Sequence, residues 1–210
     1  VQTCALPILD TSQVIINEER PQLTKHLATR FKEKIGQNVN LLGEVVLGNG
    51  EADHRYHHYL EALESPDINY ISVKISGIYA QTHALNYEES FPELVSRMSA
   101  LYQRAIDFPY TDEDGIKRSK FINLDMEEYK DAHFTLRLFK AVLNLPQFKN
   151  YSAGIVVQAY LPDAYDFQTE LLEFAKARVD GGGAPIKMRL VKGCNLEMET
   201  VISSLKGWPN

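Results

Sequence analysis

Four residues of the chain, Lys74, Asp125, Gln158 and Arg189, could do chemistry together, and Lys192 and Gly193 follow close behind the last. Each of the four stands in apolar company, in "YISVKIS", "FINLDME", "GIVVQAY" and "IKMRLVKG". Fixed charge is costly to bury unless it meets a partner or a ligand. Side chains alternate along a strand, so parity sorts these runs into faces. Ile71, Val73 and Ile75 take one face, and Ser72, Lys74 and Ser76 the other. Ile122, Leu124 and Met126 oppose Asn123 and Asp125. Gln158 shares its face with Val156 and Tyr160, and Arg189 shares its face with Lys187 and Val191, opposite Met188 and Leu190. Lys74, Arg189 and Lys192 set against Asp125 leave a positive pocket, suited to an anionic ligand. The charges could instead pair among themselves as internal stitching, since structural ion pairs also occur inside proteins. The same feature at the same height on four successive strands argues for a site.

These residues need elements to position them. "NVNLLGEVVL" reads as a strand and "GEADHRYHHYLEALES" as a helix. The alternation continues through "NYISVKIS", "KFINLDME", "AGIVVQAY" and "IKMRLVKG", each followed by a helical segment. In "EESFPELVSRMSALYQRAI" the residues Phe91, Leu94, Val95, Met98 and Leu101 fall on one side. Strands alternating with helices predict right-handed βαβ units and a parallel sheet. About five such units predict an α/β fold, a partial (β/α)8 TIM-type barrel, where a complete one takes about 250 residues. Barrel sites lie at the C-terminal ends of the strands, so the four residues would ring one mouth. An open doubly wound sheet is the rival architecture. It usually announces itself by a Gly-rich first turn, and "LGNGEAD" lacks the G-x-G-x-x-G pattern.

Ahead of the barrel, Leu23, Leu27, Phe31 and Ile35 recur every fourth residue, which predicts an amphipathic helix between Ile15 and Ile35 with Pro21 near its start. The expected division is residues 9–37 as a helical arm and 38–210 as the barrel. Residues 1–8, "VQTCALPI", match a translated sequencing-library adapter and are read as non-native, Cys4 included. The barrel is accordingly expected to be truncated and, as a fragment, inactive.

Other features carry less. Gly181 to Gly183 precede a strand and read as a flexible αβ turn, because a phosphate loop follows a strand instead. His54 and His58 stand at i, i+4, but no third metal ligand lies nearby in an obvious motif, and solvated helix surface is expected. Glu127 and Glu128 are expected to charge the N-terminus of the next helix. No Ser-His-Asp set or nucleophile elbow is visible. With 44% hydrophobic and 24% charged residues and a formal net charge of -6, the composition is globular and disfavours nucleic acid as a partner. No apolar run approaches the roughly 20 residues of a transmembrane helix. Cys4 and Cys194 form no disulfide framework or metal pattern, which suits a reducing cytoplasm.

"YISVKIS", "INLDMEE", "GIVVQAYLPDA" and "MRLVKGCNLEME" resemble, in order, the core motifs of the FAD-dependent proline dehydrogenases. The likeness runs from about Val39 to Glu199 and is greatest to the bacterial bifunctional kind, in which an aldehyde dehydrogenase domain follows. It implies oxidation of L-proline to Δ1-pyrroline-5-carboxylate, with hydride passing from the ring carbon beside nitrogen to N5 of FAD. Electrons would go on to a quinone, in a cytoplasmic protein with room for peripheral contact at the inner membrane face. The resemblance implies that Lys74 binds the proline carboxylate and that Asp125 orients the site. It puts Met126 at the flavin, Gln158 in a hydrogen bond to the flavin ring, and Arg189 near flavin N5 and the ring carbonyl. Val191, Lys192 and Gly193 would line the cofactor. Cys194 replaces the usual alanine, and Asn195 and Leu196 stand where one branch has aromatics. The family's late strands and its paired arginines find no counterpart in these residues. Two alternatives stay open from the residues themselves: a barrel in which Lys74 or Lys192 forms an aldolase-type Schiff base, and a non-catalytic anion-binding barrel.

Overall fold

The computed structural model describes residue 16 and residues 20–40, 48–80, 86–193 and 195–207. They fall into two compact units divided between Gln37 and Asn38. In the first unit, helix α1 (Arg20–Lys32) is shorter than the expected arm. Leu27 is buried, but Phe31 and Ile35 are exposed, so the four-residue spacing does not mark a stripe buried within this unit. Residues 1–8 lie outside the described residues.

The second unit carries the sheet. Strands β1 (Val39–Asn40) and β2 (Tyr70–Lys74) are followed by a two-stranded insertion, β3 (Tyr110–Thr111) and β4 (Lys117–Arg118). Then come β5 (Phe121–Asp125), β6 (Gly154–Gln158) and β7 (Lys187–Val191). The order β1-β2-β5-β6-β7 is parallel throughout, so each new main strand is laid beside the one before. That sequential order is an arc of a (β/α)8 barrel, because a doubly wound sheet reverses direction at a switch point. Residues 41–47, expected to extend β1, lie outside the described residues.

Helices α2 (Asn49–Glu64), α3 (Tyr87–Asp107), α4 (Ala132–Leu143), α5 (Ala164–Asp180) and α6 (Leu196–Lys206) alternate with the main strands. Leu94, Met98, Leu101, Tyr102 and Ala105 form the buried face of α3, at the three- and four-residue spacing of a helix stripe. Helix α4 is buried over most of its circumference. At the β7 side, Leu190 is exposed although its parity directs it away from Arg189, and α6 buries no residue. Strand β6, flanked on both sides, is buried at all five positions.

The strands end earlier than their sequence runs. After Lys74 the backbone turns into a 3₁₀ segment, Ile75–Gly77, so Ser76 leaves the strand and its parity no longer applies. Met126 and Glu127 likewise lie beyond β5. The β3–β4 hairpin was not foreseen: two-residue strands show no alternation to read. Its turn is legible afterwards. The Asp112 carboxylate accepts the N–H groups of Asp114 and Ile116 at 3.0 and 2.8 Å, and Gly115 supplies a positive φ of 77°.

At the N-terminal side of the sheet, Arg178 near the end of α5 donates to the carbonyls of Leu143, Phe148, Lys149, Tyr151 and Ala184. The Gly181–Gly183 turn lies beside this cluster, between α5 and β7, where an αβ turn is expected. The Gly183 N–H donates to Arg178 O at 2.8 Å, and the Gly182 N–H to Val179 O at 2.8 Å.

Candidate active site

Parallel pairing aligns Lys74 with Asp125 across β2 and β5, and Val156 with Arg189 across β6 and β7. Arg189 reaches over β6, and its Nη2 donates to Asp125 Oδ1 at 2.6 Å. The same oxygen accepts Asn123 Nδ2 at 2.7 Å and Ser72 Oγ at 3.2 Å. Ser72 Oγ in turn accepts Asn38 Nδ2 at 2.9 Å. Burial pushes the Asp125 carboxyl above its ordinary value, against the opposing pull of Arg189, Asn123, Ser72 and Lys74. The Nε of Arg189 is buried and has no hydrogen-bond partner among the described residues.

Lys74 does not touch Asp125. Its Nζ lies 3.7 Å from Glu127 Oε1, an ion pair too long for a hydrogen bond, and the side chain is 38% exposed. Below it, the buried Tyr59 packs against Gly77, where a Cβ would lie 2.8 Å from the phenol oxygen. Burial pushes the Tyr59 phenol up to about 12.

Gln158 is wholly engaged as a donor: Nε2 gives hydrogen bonds to Met126 O at 3.3 Å and Glu127 O at 3.0 Å. Its Oε1 accepts the Tyr160 hydroxyl at 3.3 Å and keeps a second lone pair. The Met126 side chain is buried. The Val191 carbonyl accepts Ala159 N–H at 2.8 Å. Lys192 is exposed, and Gly193 turns at φ 111° beneath the Tyr160 ring, where a Cβ would stand 1.7 Å from Cδ1. Cys194 lies outside the described residues.

Glu128 stands where expected, at the N-cap of the 3₁₀ segment Tyr129–Asp131 that leads into α4, without a side-chain capping hydrogen bond, whereas Glu127 turns to the strand ends instead. Glu128 pairs with Lys130 at 2.8 Å. Glu127 faces Lys74, accepts Ser76 N–H at 3.4 Å, and offers its carbonyl to Gln158 and to Asn195 Nδ2 at 3.1 Å. It thus ties together the ends of β2, β5 and β6 and the start of α6. The signal lay in its place just past a strand end, which barrel geometry marks as site-facing. Sequence reasoning placed Ser72 and Asn123 on the inner face but gave them no role. The rings of His54 and His58 stand 4.2 Å apart, and no group of three or more potential metal ligands occurs among the described residues. No described helix is long and apolar enough to cross a membrane.

The strand ends therefore form a barrel mouth with one cation held by a half-buried carboxylate, a second held loosely, and a buried guanidinium N–H that meets no acceptor among the described residues. Such a mouth, with two cations and an ion-paired carboxylate at the C-terminal ends of parallel strands, is that of a barrel-type α/β protein. The proline dehydrogenase family model matches residues 23–210, and the chain belongs to that family. The structure of Proline Utilization A (PutA) from Corynebacterium freiburgense is 41% identical, with a TM-score of 0.86 over 96% of this chain and 20% of that one. PutA from Bdellovibrio bacteriovorus, in a form inactivated by N-propargylglycine, is 31% identical, with a TM-score of 0.75 over 89% of this chain and 21% of that one. A Bradyrhizobium japonicum PutA, at 22% identity and a TM-score of 0.69 over 86% of this chain and 19% of that one, shares the fold. The chain spans about a fifth of the length of these proteins. No curated protein matches it. The five parallel strands are an arc of the barrel-type fold of these relatives.

Proposed function

We propose that the protein carrying this chain oxidises L-proline to Δ1-pyrroline-5-carboxylate with FAD. The observation that carries this reading is the Arg189–Asp125 pair at 2.6 Å across the strand ends, with Arg189 Nε buried and without a hydrogen-bond partner among the described residues. A buried unpaired donor is costly, and a ligand acceptor would relieve it. The donor set suits a flavin: an unspent guanidinium N–H, the free lone pair of Gln158 Oε1, and the exposed cation Lys192. FAD, when bound, supplies the acceptor for the hydride of the carbon beside the proline nitrogen.

The chain's own residues do the rest. Lys74 holds the substrate carboxylate, and its long contact to Glu127 leaves ammonium protons to give. Arg189 presents positive charge where negative charge develops during flavin reduction, fixed in advance by Asp125. Gln158 braces Met126 and Glu127 and turns its remaining lone pair to the cofactor ring. Val191, Lys192 and Gly193 line the cofactor, and the bare α-carbon of Gly193 lets the Tyr160 ring pack against it. The likeness to PutA proteins supports further parts of the same proposal: a quinone acceptor, a fused aldehyde dehydrogenase domain, and a cytoplasmic location with peripheral contact at the inner membrane face.

Arg189→Met tests the reading. Loss of a charge-assisted hydrogen bond worth about 1.5–3 kcal/mol should slow proline-dependent flavin bleaching roughly ten- to a hundredfold. Bleaching at the wild-type rate would show that Arg189 has no part in the reaction. Arg189→Lys should also be slow, because lysine lacks the planar fork of donors.

A further inference from the structure

We propose that Ser72 and Asn123, backed by Asn38, are positioning residues that fix the rotamer and the ionised state of Asp125 so that it can hold Arg189. The proposal rests on proline oxidation at this site, yet its first observable does not.

Three donors converge on the one oxygen, Asp125 Oδ1, and two of them are fully buried residues one step down the same inner face. Ser72 and Asn123 are register partners, as Lys74 and Asp125 are above them. The Asn38 amide donates to Ser72 Oγ, so the single hydroxyl proton of Ser72 is left to point at Asp125. Asn38 thereby sets the direction of the serine proton from a neighbouring part of the chain.

Asn123 gives the stronger sign. Its Nδ2 serves Asp125 while its Oδ1 is buried without a partner among the described residues. Turning the amide over would satisfy nothing, because it would set Oδ1 against a carboxylate oxygen. Room for that orphaned oxygen exists only because residue 154 is glycine, where a Cβ would lie 2.6 Å from it. An apolar side chain at 123 would avoid an unpaired buried acceptor, which is costly. The fold tolerates this strain on the face where its carboxylate must be held. Asn123 thus orients Asp125 at the expense of local stability, which a role confined to packing would not require.

The groups facing Asp125 are Arg189 from β7, Lys74 and Tyr70 from β2, Tyr59 from α2, and Glu127 from the segment after β5. Burial favours the protonated carboxyl, which cannot anchor a guanidinium as an ion pair. Each donor at Oδ1 counters that tendency.

The experiment compares Ser72→Ala, Ser72→Thr and Asn123→Ala with the parent in the protein carrying this chain. The Asp125 carboxyl is titrated by NMR of carboxyl-labelled aspartate, assigned with Asp125→Asn. Ser72→Ala should raise its pKa by about one unit, the equivalent of one hydrogen bond to a charged group. Asn123→Ala should raise it at least as far, and Ser72→Thr should restore it. In proline turnover the acidic limb of kcat/KM should move by the same amount. An unmoved Asp125 titration in folded Ser72→Ala and Asn123→Ala overturns the proposal. A shifted titration in a protein that does not oxidise proline would leave the positioning role standing and refute the functional reading instead.

Discussion

Lys120 permits a quantitative test of the fold. It precedes β5, is 1% exposed, and donates its ammonium to the carbonyl of Ser65. Burial pulls its pKa from 10.5 down to about 8, with Asp67 opposing. Between those values the unfolded chain binds more protons than the folded one, so stability must rise with pH. Integrating this difference from about pH 7 to about pH 9.5 gives a gain of roughly 2 kcal/mol. The gain cannot continue much further. Burial raises the phenols of Tyr59, Tyr102 and Tyr151 above their ordinary value of 10, and raised acids lose stability as pH climbs past that value. Urea unfolding of the chain, followed by circular dichroism, should therefore give a midpoint that climbs into the mildly alkaline range and then falls. Lys120→Met should abolish the climb. The Ser65 carbonyl would keep the Ile68 N–H at 3.3 Å, so the substitution leaves no bare acceptor. A wild-type midpoint that is flat or falling from about pH 7 to about pH 9.5 would refute the argument. So would an unchanged climb in Lys120→Met.

Further outcomes follow from single contacts. Gly193→Ala combines a φ of 111° with a Cβ placed 1.7 Å from the Tyr160 ring, and should lower stability by about 2–4 kcal/mol in thermal unfolding. In a Tyr160→Ala background the cost should fall to the backbone share of about 1 kcal/mol, and an equal cost in both backgrounds would exclude the clash. Arg178→Leu strips a donor from five carbonyls and should cost about 3–5 kcal/mol, with loss of hydrogen-exchange protection around the turn at residues 181–183. Asp125→Asn should leave the fold at least as stable at neutral pH, since burial raises the Asp125 pKa and the ionised carboxylate is a net cost there. A large drop in melting temperature would show the pair to be structural stitching.

How much of this was legible in the sequence depends on the residue. Strand parity put Ser72, Asn123, Asp125 and Arg189 on one face, and the hydrogen bonds that join them across β2, β5 and β7 agree. It stopped working where the chain left the strand: Ser76 entered a 3₁₀ segment, and Glu127 turned back toward Lys74. Helix periodicity read the buried stripe of α3, and it found α1 too, where Leu27 is buried, but the stripe fails at its C-terminal end, where Phe31 and Ile35 are exposed. The buried lysine at 120 was illegible, since lysine at a strand start reads as surface until the carbonyl it meets is known. The convergence on Asp125 Oδ1 was half legible. Sequence could align Ser72, Asn123 and Asp125, yet the bare α-carbon of Gly154 that admits the Asn123 amide appears only when strands pair.

The central claim is that this mouth takes a carboxylate-bearing cyclic amine and oxidises it beside its nitrogen. The direct measurement is anaerobic stopped-flow mixing of the FAD-loaded protein carrying this chain with L-proline and, separately, with pyrrolidine, which lacks the carboxylate. Proline should bleach the flavin with saturation, while pyrrolidine should do so only weakly. In Lys74→Ala the affinity for proline should fall roughly ten- to a hundredfold, the worth of one charged hydrogen bond. Flavin that stays oxidised in proline, or bleaches equally with both amines, would contradict it.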